Sequence, residues 1–245
     1  YDSQLMLKKG QALVLRTTPY GDKRVIINVY SPQEGALGLI ASLSKKSDKG
    51  LKPAHFQALQ ALELVYQEQS KGDLKALREA RILYSYQDLF FDPVKSCLSL
   101  FIAEFLQKVL REEEANSSLF DFIFQAMRSL DKAQLGLANF HLLFLMELSR
   151  YFGIQPHLEG EGNYMDLLHG ELLEEAPHHP YFISGEELAL WRNLYQHDWQ
   201  EWPSFDFKGA QLRRQALDNM VQYYRLQLHD FGPLKSINVL REVLT

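Results

Sequence analysis

GQALVLRTTPYGDKRVIINVYSPQEGALGLIAS, running from Gly10 to Ser42, is the stretch on which the fold turns. Its opening segment GQALVLRTT is apolar and branched, and it stops at Pro19-Tyr20-Gly21-Asp22, a turn signal. KRVIINVYS follows, β-branched through its middle and closed by Ser31-Pro32, and GALGLIAS comes after Glu34-Gly35. Short strands joined by tight turns are the start of a meander. A polar, lysine-bearing stretch from Ser42 to Lys52 then leads to Pro53, and alternation returns in LQALELVYQ, where Leu62, Leu64 and Tyr66 would share one face. After Lys71-Gly72-Asp73, LKALREARIL supplies a fifth strand. A partly open five-stranded barrel of the OB type closes such a meander economically, although an SH3-like barrel gives the same count.

Beyond Phe91 the period changes from two to that of a helix. Asp92 suits an N-cap and Pro93 the first helical position, and Val94, Leu98, Phe101, Ile102, Phe105 and Val109 recur on one face of a helix expected to reach about Glu114. Ser118 with Asp121 three residues later resembles a capping box opening LFDFIFQAMRSL. The run NFHLLFLMEL, inside a third helix from Leu137 to Phe152, is apolar nearly all round and belongs in the middle of a bundle, stopping at Gly153. Glycines and prolines between Gly153 and Tyr181 leave only short extended pieces, NYMDLL and GELLEE, in an irregular insert with a hairpin. Helices resume at a capping box formed by Ser184 and Glu187, continue from about Lys208 to His229, and end with one that starts at Pro233. The expected class is α+β: an OB-type barrel over residues 1–82 and an all-helical domain over 83–245, with the insert at 154–183.

Composition narrows the function. Apolar residues make up 46% and charged residues 23%, which is ordinary for a folded globular chain. Cys97 is the only cysteine, so no internal disulfide and no cysteine-built zinc ribbon can form, and a cytoplasmic address is expected. No run reads as a membrane span or an export signal, and Met6 is a candidate natural start. The net charge of −5 is unevenly spread: Tyr1 to Lys52 carries 9 Lys and Arg against 4 Asp and Glu, while the remainder carries 17 against 27. A basic island on an acidic body steers a polyanion to one place.

Three stretches together resemble the RecO family of bacterial recombination mediators. They are ALVLRTTPYGDKRVIINVYSPQEGALGLI; the helical block DPVKSCLSLFIAEFLQKVLREEEANSSLFDF with LGLANFHLLFLMELSRYFGIQPHLE; and the terminal FGPLKSINVLREVL. The resemblance implies an OB domain, a helical domain and an inserted subdomain that in many members binds zinc through four cysteines. It also implies RecF-pathway DNA repair: binding of single- and double-stranded DNA, contacts with RecR and with the C-terminal tail of single-stranded-DNA-binding protein, strand annealing, and assistance to RecA. Two departures stand out. The insert has no cysteine, so it is expected to persist as a metal-free hairpin; and Ser42 and Ser44 stand where many relatives carry Gly and further Arg.

A single strand is held by cations along its phosphates and by aromatic rings under its bases. Lys8, Lys9, Arg16, Lys23, Arg24, Lys45, Lys46 and Lys49, with Tyr20 and the neighbouring Tyr30, are the DNA-binding candidates; otherwise the lysines solubilise loops and the tyrosines close the barrel. For an acidic protein tail ending in a Phe carboxylate, Lys108, Arg111, Arg128 and Arg150 are candidate rim cations at the ends of helices. His157, His169, His178 and His179 lack the usual zinc spacing and are read as loop histidines, with no metal or other cofactor expected. No G-x-S-x-G elbow, P-loop, G-x-G-x-x-G or H-E-x-x-H occurs, Cys97 reads as a packed side chain, and no enzyme is expected. The alternative is a pure protein-interaction adaptor in which the basic island is incidental.

Overall fold

The computed structural model describes residues 6–43, 51–68, 74–110 and 114–244. Two compact units make up the chain, Tyr1–Asp131 and Lys132–Thr245, so that the first two long helices group with the strands.

In the first unit β1 (Leu7–Tyr20), β2 (Arg24–Ser31), β3 (Gly35–Ser42), β4 (Ala61–Gln67) and β5 (Lys75–Ile82) form a closed barrel in the order β1-β2-β3-β5-β4. The expectation of a partly open barrel is corrected by the length of β1. Its first half, Leu7 to Leu13, pairs with β4 and its second half, Leu13 to Tyr20, pairs with β2, so one strand closes the ring. All pairings are antiparallel except that of β3 with β5. Ala12, Val14, Val25, Ile27, Val29, Leu39, Leu62, Leu64 and Tyr66 fill the interior, as the alternation along β4 predicts. Phe56, in a 3-10 turn over Pro53–Phe56, joins that core with Leu51 from what reads in sequence as a polar loop.

A bulge in β1 decides which side chains face out. The β1–β2 register slips between Val14 and Arg16, so Leu15 is the extra residue and the alternation inverts beyond it. Leu13 and Leu15 are nevertheless buried, because helix α1 (Pro93–Val109) packs on β1. The Asp92 carboxylate accepts from the N–H groups of Val94 and Lys95 at 2.9 Å, the expected N-cap. The helix ends at Val109, with Leu110 as its C-cap, rather than near Glu114, and α2 (Ser117–Lys132) is capped by Asn116, whose Oδ1 accepts from Leu119 N–H at 2.9 Å, rather than by Ser118. Between barrel and α1 the segment Gln87–Leu89 is pinned by Asp131, whose carboxylate accepts three backbone N–H bonds at 2.8–3.1 Å.

The second unit is built around α3 (Phe140–Tyr151), buried on almost every side, with α4 (Gly185–Gln196) and α5 (Ala210–Gln227) against it. Trp202, in a 3-10 segment over Trp199–Ser204 that periodicity does not reveal, meets Phe140 edge to face at 4.7 Å. The expected capping box at Ser184 does not form: Glu187 is buried and turned to Gln215 and Asn219 on α5, at 2.7 and 2.9 Å. Likewise α5 starts at Ala210 rather than Lys208, and the last helix, α6, spans Ile237–Val243 instead of beginning at Pro233. The insert holds β6 (Tyr164–Asp166), β7 (Glu171–Leu173) and β8 (Phe182–Ser184) in the order β7-β6-β8, a hairpin extended by a third strand. Among the described residues no helix is long and apolar enough to cross a membrane.

Candidate nucleic-acid interface

Beyond its bulge β1 presents Arg16, Thr18 and Tyr20 to one face, and the register sets them opposite Asn28, Ile26 and Arg24 of β2. β3 continues each rung with Gly38, Ile40 and Ser42. This ladder runs down the outer face of the β1–β2 hairpin to its tip, where Lys23 is exposed. Tyr20 is 48% exposed, and the Arg24 guanidinium lies over its ring, 5.1 Å from the centroid. An exposed ring with a cation on one face offers a base a platform with charge beside it.

At the other end of the ladder Arg16 enters a concavity of about 350 Å³ between the hairpin and the C-terminal end of α1. Leu15, Asn28, Leu37, Gln107 and Lys108 line it with Arg16, and among its described lining residues none is acidic. Arg16 and Lys108, assigned from sequence to two different ligands, thus share one cavity. Their meeting has no sequence signal, because it depends on where α1 ends against the barrel.

Lys8 lies elsewhere. It precedes the bulge, opposite Tyr66, on the interior-facing side of β1, and it pairs with Glu34, which also holds Lys75 at 2.6 Å. Lys75, which sequence reading passed over, also sits 5.4 Å above the Tyr66 ring. Burial by itself would raise the Glu34 carboxyl, but the hydrogen bonds from Lys75 and Lys8 outweigh it and hold its pKa at about 2. A depressed carboxyl pKa gives stability that is complete above the unfolded value, near 4.5, and is lost as pH falls toward 2. Glu34→Gln is therefore expected to flatten the loss of stability across that acid window. Denaturant unfolding at a series of pH values measures it, and a variant with the wild-type pH profile would discount the network.

Lys9 is exposed and 3.8 Å from Glu63. Tyr30 is wholly buried, with its hydroxyl 3.4 Å from the Glu114 carbonyl, so it packs and cannot stack on a base. Lys45, Lys46, Lys49 and Arg111 lie outside the described residues; the chain leaves β3 at Leu43, whose N–H donates to Lys23 O at 2.8 Å.

Of the rim cations, Arg128 on α2 lies 4.8 Å over the Tyr84 ring and 5.6 Å from that of Phe124. Arg150 on α3 pairs with Glu147 at 3.1 Å in the second unit, whereas Lys108 and Arg128 belong to the first. Cys97 is buried and its thiol is pushed up by that burial, the opposite of an activated nucleophile.

Residues 6–86 match the family model described as Recombination protein O N terminal, and residues 91–236 match that described as Recombination protein O C terminal. The chain is 33% identical over 242 residues to the DNA repair protein RecO of Phocaeicola vulgatus, covering 98% of this chain and 100% of the relative. It is 31% identical over 241 residues to that of Bacteroides fragilis, covering 97% and 99%. To that of Christiangramia forsetii it is 32% identical over 243 residues, again covering 97% and 99%.

Proposed function

Because the chain belongs to the RecO family of DNA repair proteins, we propose that it is a recombination mediator that works by binding alone, gripping single- and double-stranded DNA with its barrel. The observation that carries this reading is the outer ladder of the β1–β2 hairpin. It joins an exposed Tyr20, the cations Arg16, Lys23 and Arg24, and a cationic concavity on one face. Cations neutralise successive phosphates while the ring accepts a base, a sequence-tolerant mode that suits a protein acting on any single strand. Lys45, Lys46 and Lys49, outside the described residues, are assigned to DNA binding as well, and Lys8 and Lys9 belong to the site only at its edge. Residues 1–82 serve as the DNA-binding part and 83–245 as the part that meets partner proteins.

Those partners are RecR and the acidic tail of single-stranded-DNA-binding protein, with RecA loading as the consequence. Of the candidate cations for the tail, Lys108, Arg111, Arg128 and Arg150, the first lines the concavity with Arg16 and goes with it to DNA, while Arg128, set among Tyr84 and Phe124, is preferred for the tail because it combines charge with apolar rings as a Phe carboxylate requires. A cytoplasmic address, with nucleoid association during repair, goes with this role.

Fluorescence anisotropy with a labelled single strand tests the reading. Binding at low salt that falls steeply as salt rises is expected, and Lys45→Glu with Lys46→Glu should weaken it and flatten the salt slope. Indifference to the oligonucleotide at low salt would overturn the mediator and leave a protein-interaction adaptor. Annealing of strands coated with single-stranded-DNA-binding protein, with and without RecR, then separates DNA binding from mediation.

A further inference from the structure

The insert brings together three ligand-type side chains whose sequence spacing gives no sign of it. Asp166 closes β6, His169 lies in the turn that follows, and His179 precedes β8. His169 Nδ1 is 2.7 Å and His179 Nε2 3.3 Å from the same oxygen, Asp166 Oδ2, and one donor atom from each residue lies within 4.8 Å of the others. The other carboxylate oxygen, Oδ1, accepts from the N–H groups of Leu168 and His169 at 2.7 and 3.3 Å, which fixes the carboxylate plane. Gly170, at φ 75°, returns the turn with its N–H on Asp166 O at 2.8 Å, and a Cβ there would lie 2.9 Å from the Tyr223 hydroxyl. A rigid turn thus holds two of the three donors, and the third arrives from a separate segment.

From this geometry we propose that Asp166, His169 and His179 form a divalent-metal site, for which zinc is the best fit, that clips the turn after β6 to the chain entering β8. Two imidazoles and a carboxylate suit a late first-row cation, and metal–ligand bonds of ~2.0–2.1 Å set tetrahedral donor separations of about 3.3 Å. The His179 contact already has that separation, and the His169 contact must open by about half an ångström, within reach of a side chain 61% exposed. Solvent takes the fourth position on that open side. Coordination through His179 Nε2 moves the ring proton to Nδ1 and gives up the 3.3 Å bond it accepts from Tyr181 N–H, a long and weak one. This ligand set shares nothing with a four-cysteine ribbon, and it revises the expectation of a metal-free insert.

The test uses the full chain, untagged, stripped with a chelator and dialysed against zinc sulfate. Elemental analysis after gel filtration should return one zinc per chain, and competition with a chromophoric chelator gives the affinity. His169→Gln and His179→Gln should each weaken binding tenfold or more and remove the zinc-dependent rise in the thermal midpoint. His157→Gln and His178→Gln should change neither. The stripped variants should show the wild-type circular dichroism spectrum, which separates a lost ligand from a lost fold. Less than a tenth of an equivalent retained by the wild type, or full retention when both His169 and His179 are replaced, would overturn the proposal. So would loss of zinc from the His157 or His178 variant alone.

Discussion

Replacing Asp131 with Ala is expected to destabilise the first unit by about 3–5 kcal/mol, the largest single-residue effect anticipated for this chain. The carboxylate is 2% exposed and accepts from the N–H groups of Gln87, Asp88 and Leu89. Deleting it orphans three donors where the chain passes from barrel to α1, and an unsatisfied buried donor costs about 1–3 kcal/mol. Nearby Lys95, also 2% exposed, bonds to the Asp131 carbonyl at 2.7 Å and to Asp88 at 3.3 Å, so slack in this turn also disturbs the setting of a buried ammonium. Asn at 131 keeps one acceptor oxygen and should lose roughly 1–2 kcal/mol. Denaturant unfolding of both variants measures this; a loss under about 1 kcal/mol for the Ala variant would mean that water replaces the carboxylate.

The tie at Asp131 shows what a chain read in windows can and cannot reveal. Strand positions were legible because β2, β3, β4 and β5 carry their own alternation and end at turn residues, and α1 was legible because Asp92-Pro93 states its start. Closure of the barrel was not, since it depends on β1 serving two partners around a bulge at Leu15 that no turn residue marks. The same bulge separates Lys8 from Arg16, which in sequence look like members of one basic group. Glu187 misled for a related reason: its spacing from Ser184 fits a cap, but burial against Gln215 and Asn219 satisfies the carboxylate better. Local pattern yields to tertiary partners where a polar group can be buried with its bonds made. Asp166, His169 and His179 were invisible as a group because a hairpin, rather than a motif spacing, brings them together.

Reversing the charge of Arg16 and Lys108 together is expected to weaken single-strand binding by about 10–100-fold near physiological salt and to reduce the log–log salt slope by about two phosphate contacts. Both cations line the concavity at the end of the hairpin ladder, and neither forms an ion pair among the described residues. Neither is engaged among the described residues as Lys8 is by Glu34. Lys108 stands in the last turn of α1, where a cation also suits the helix dipole, so its replacement by Glu adds a local repulsion that the Arg16 variant lacks. Lys9→Glu gives the contrast: Lys9 stands at the edge of the site, off the ladder and next to Glu63, and its reversal should weaken binding by less than threefold. Anisotropy titrations over a salt series decide the matter. If the double variant binds within twofold of wild type with the same slope, the concavity is not on the DNA path. If it binds DNA normally but fails to hold a peptide ending in acidic residues and a Phe carboxylate, the concavity belongs to the protein partner and the DNA track is confined to the hairpin tip around Tyr20, Lys23 and Arg24.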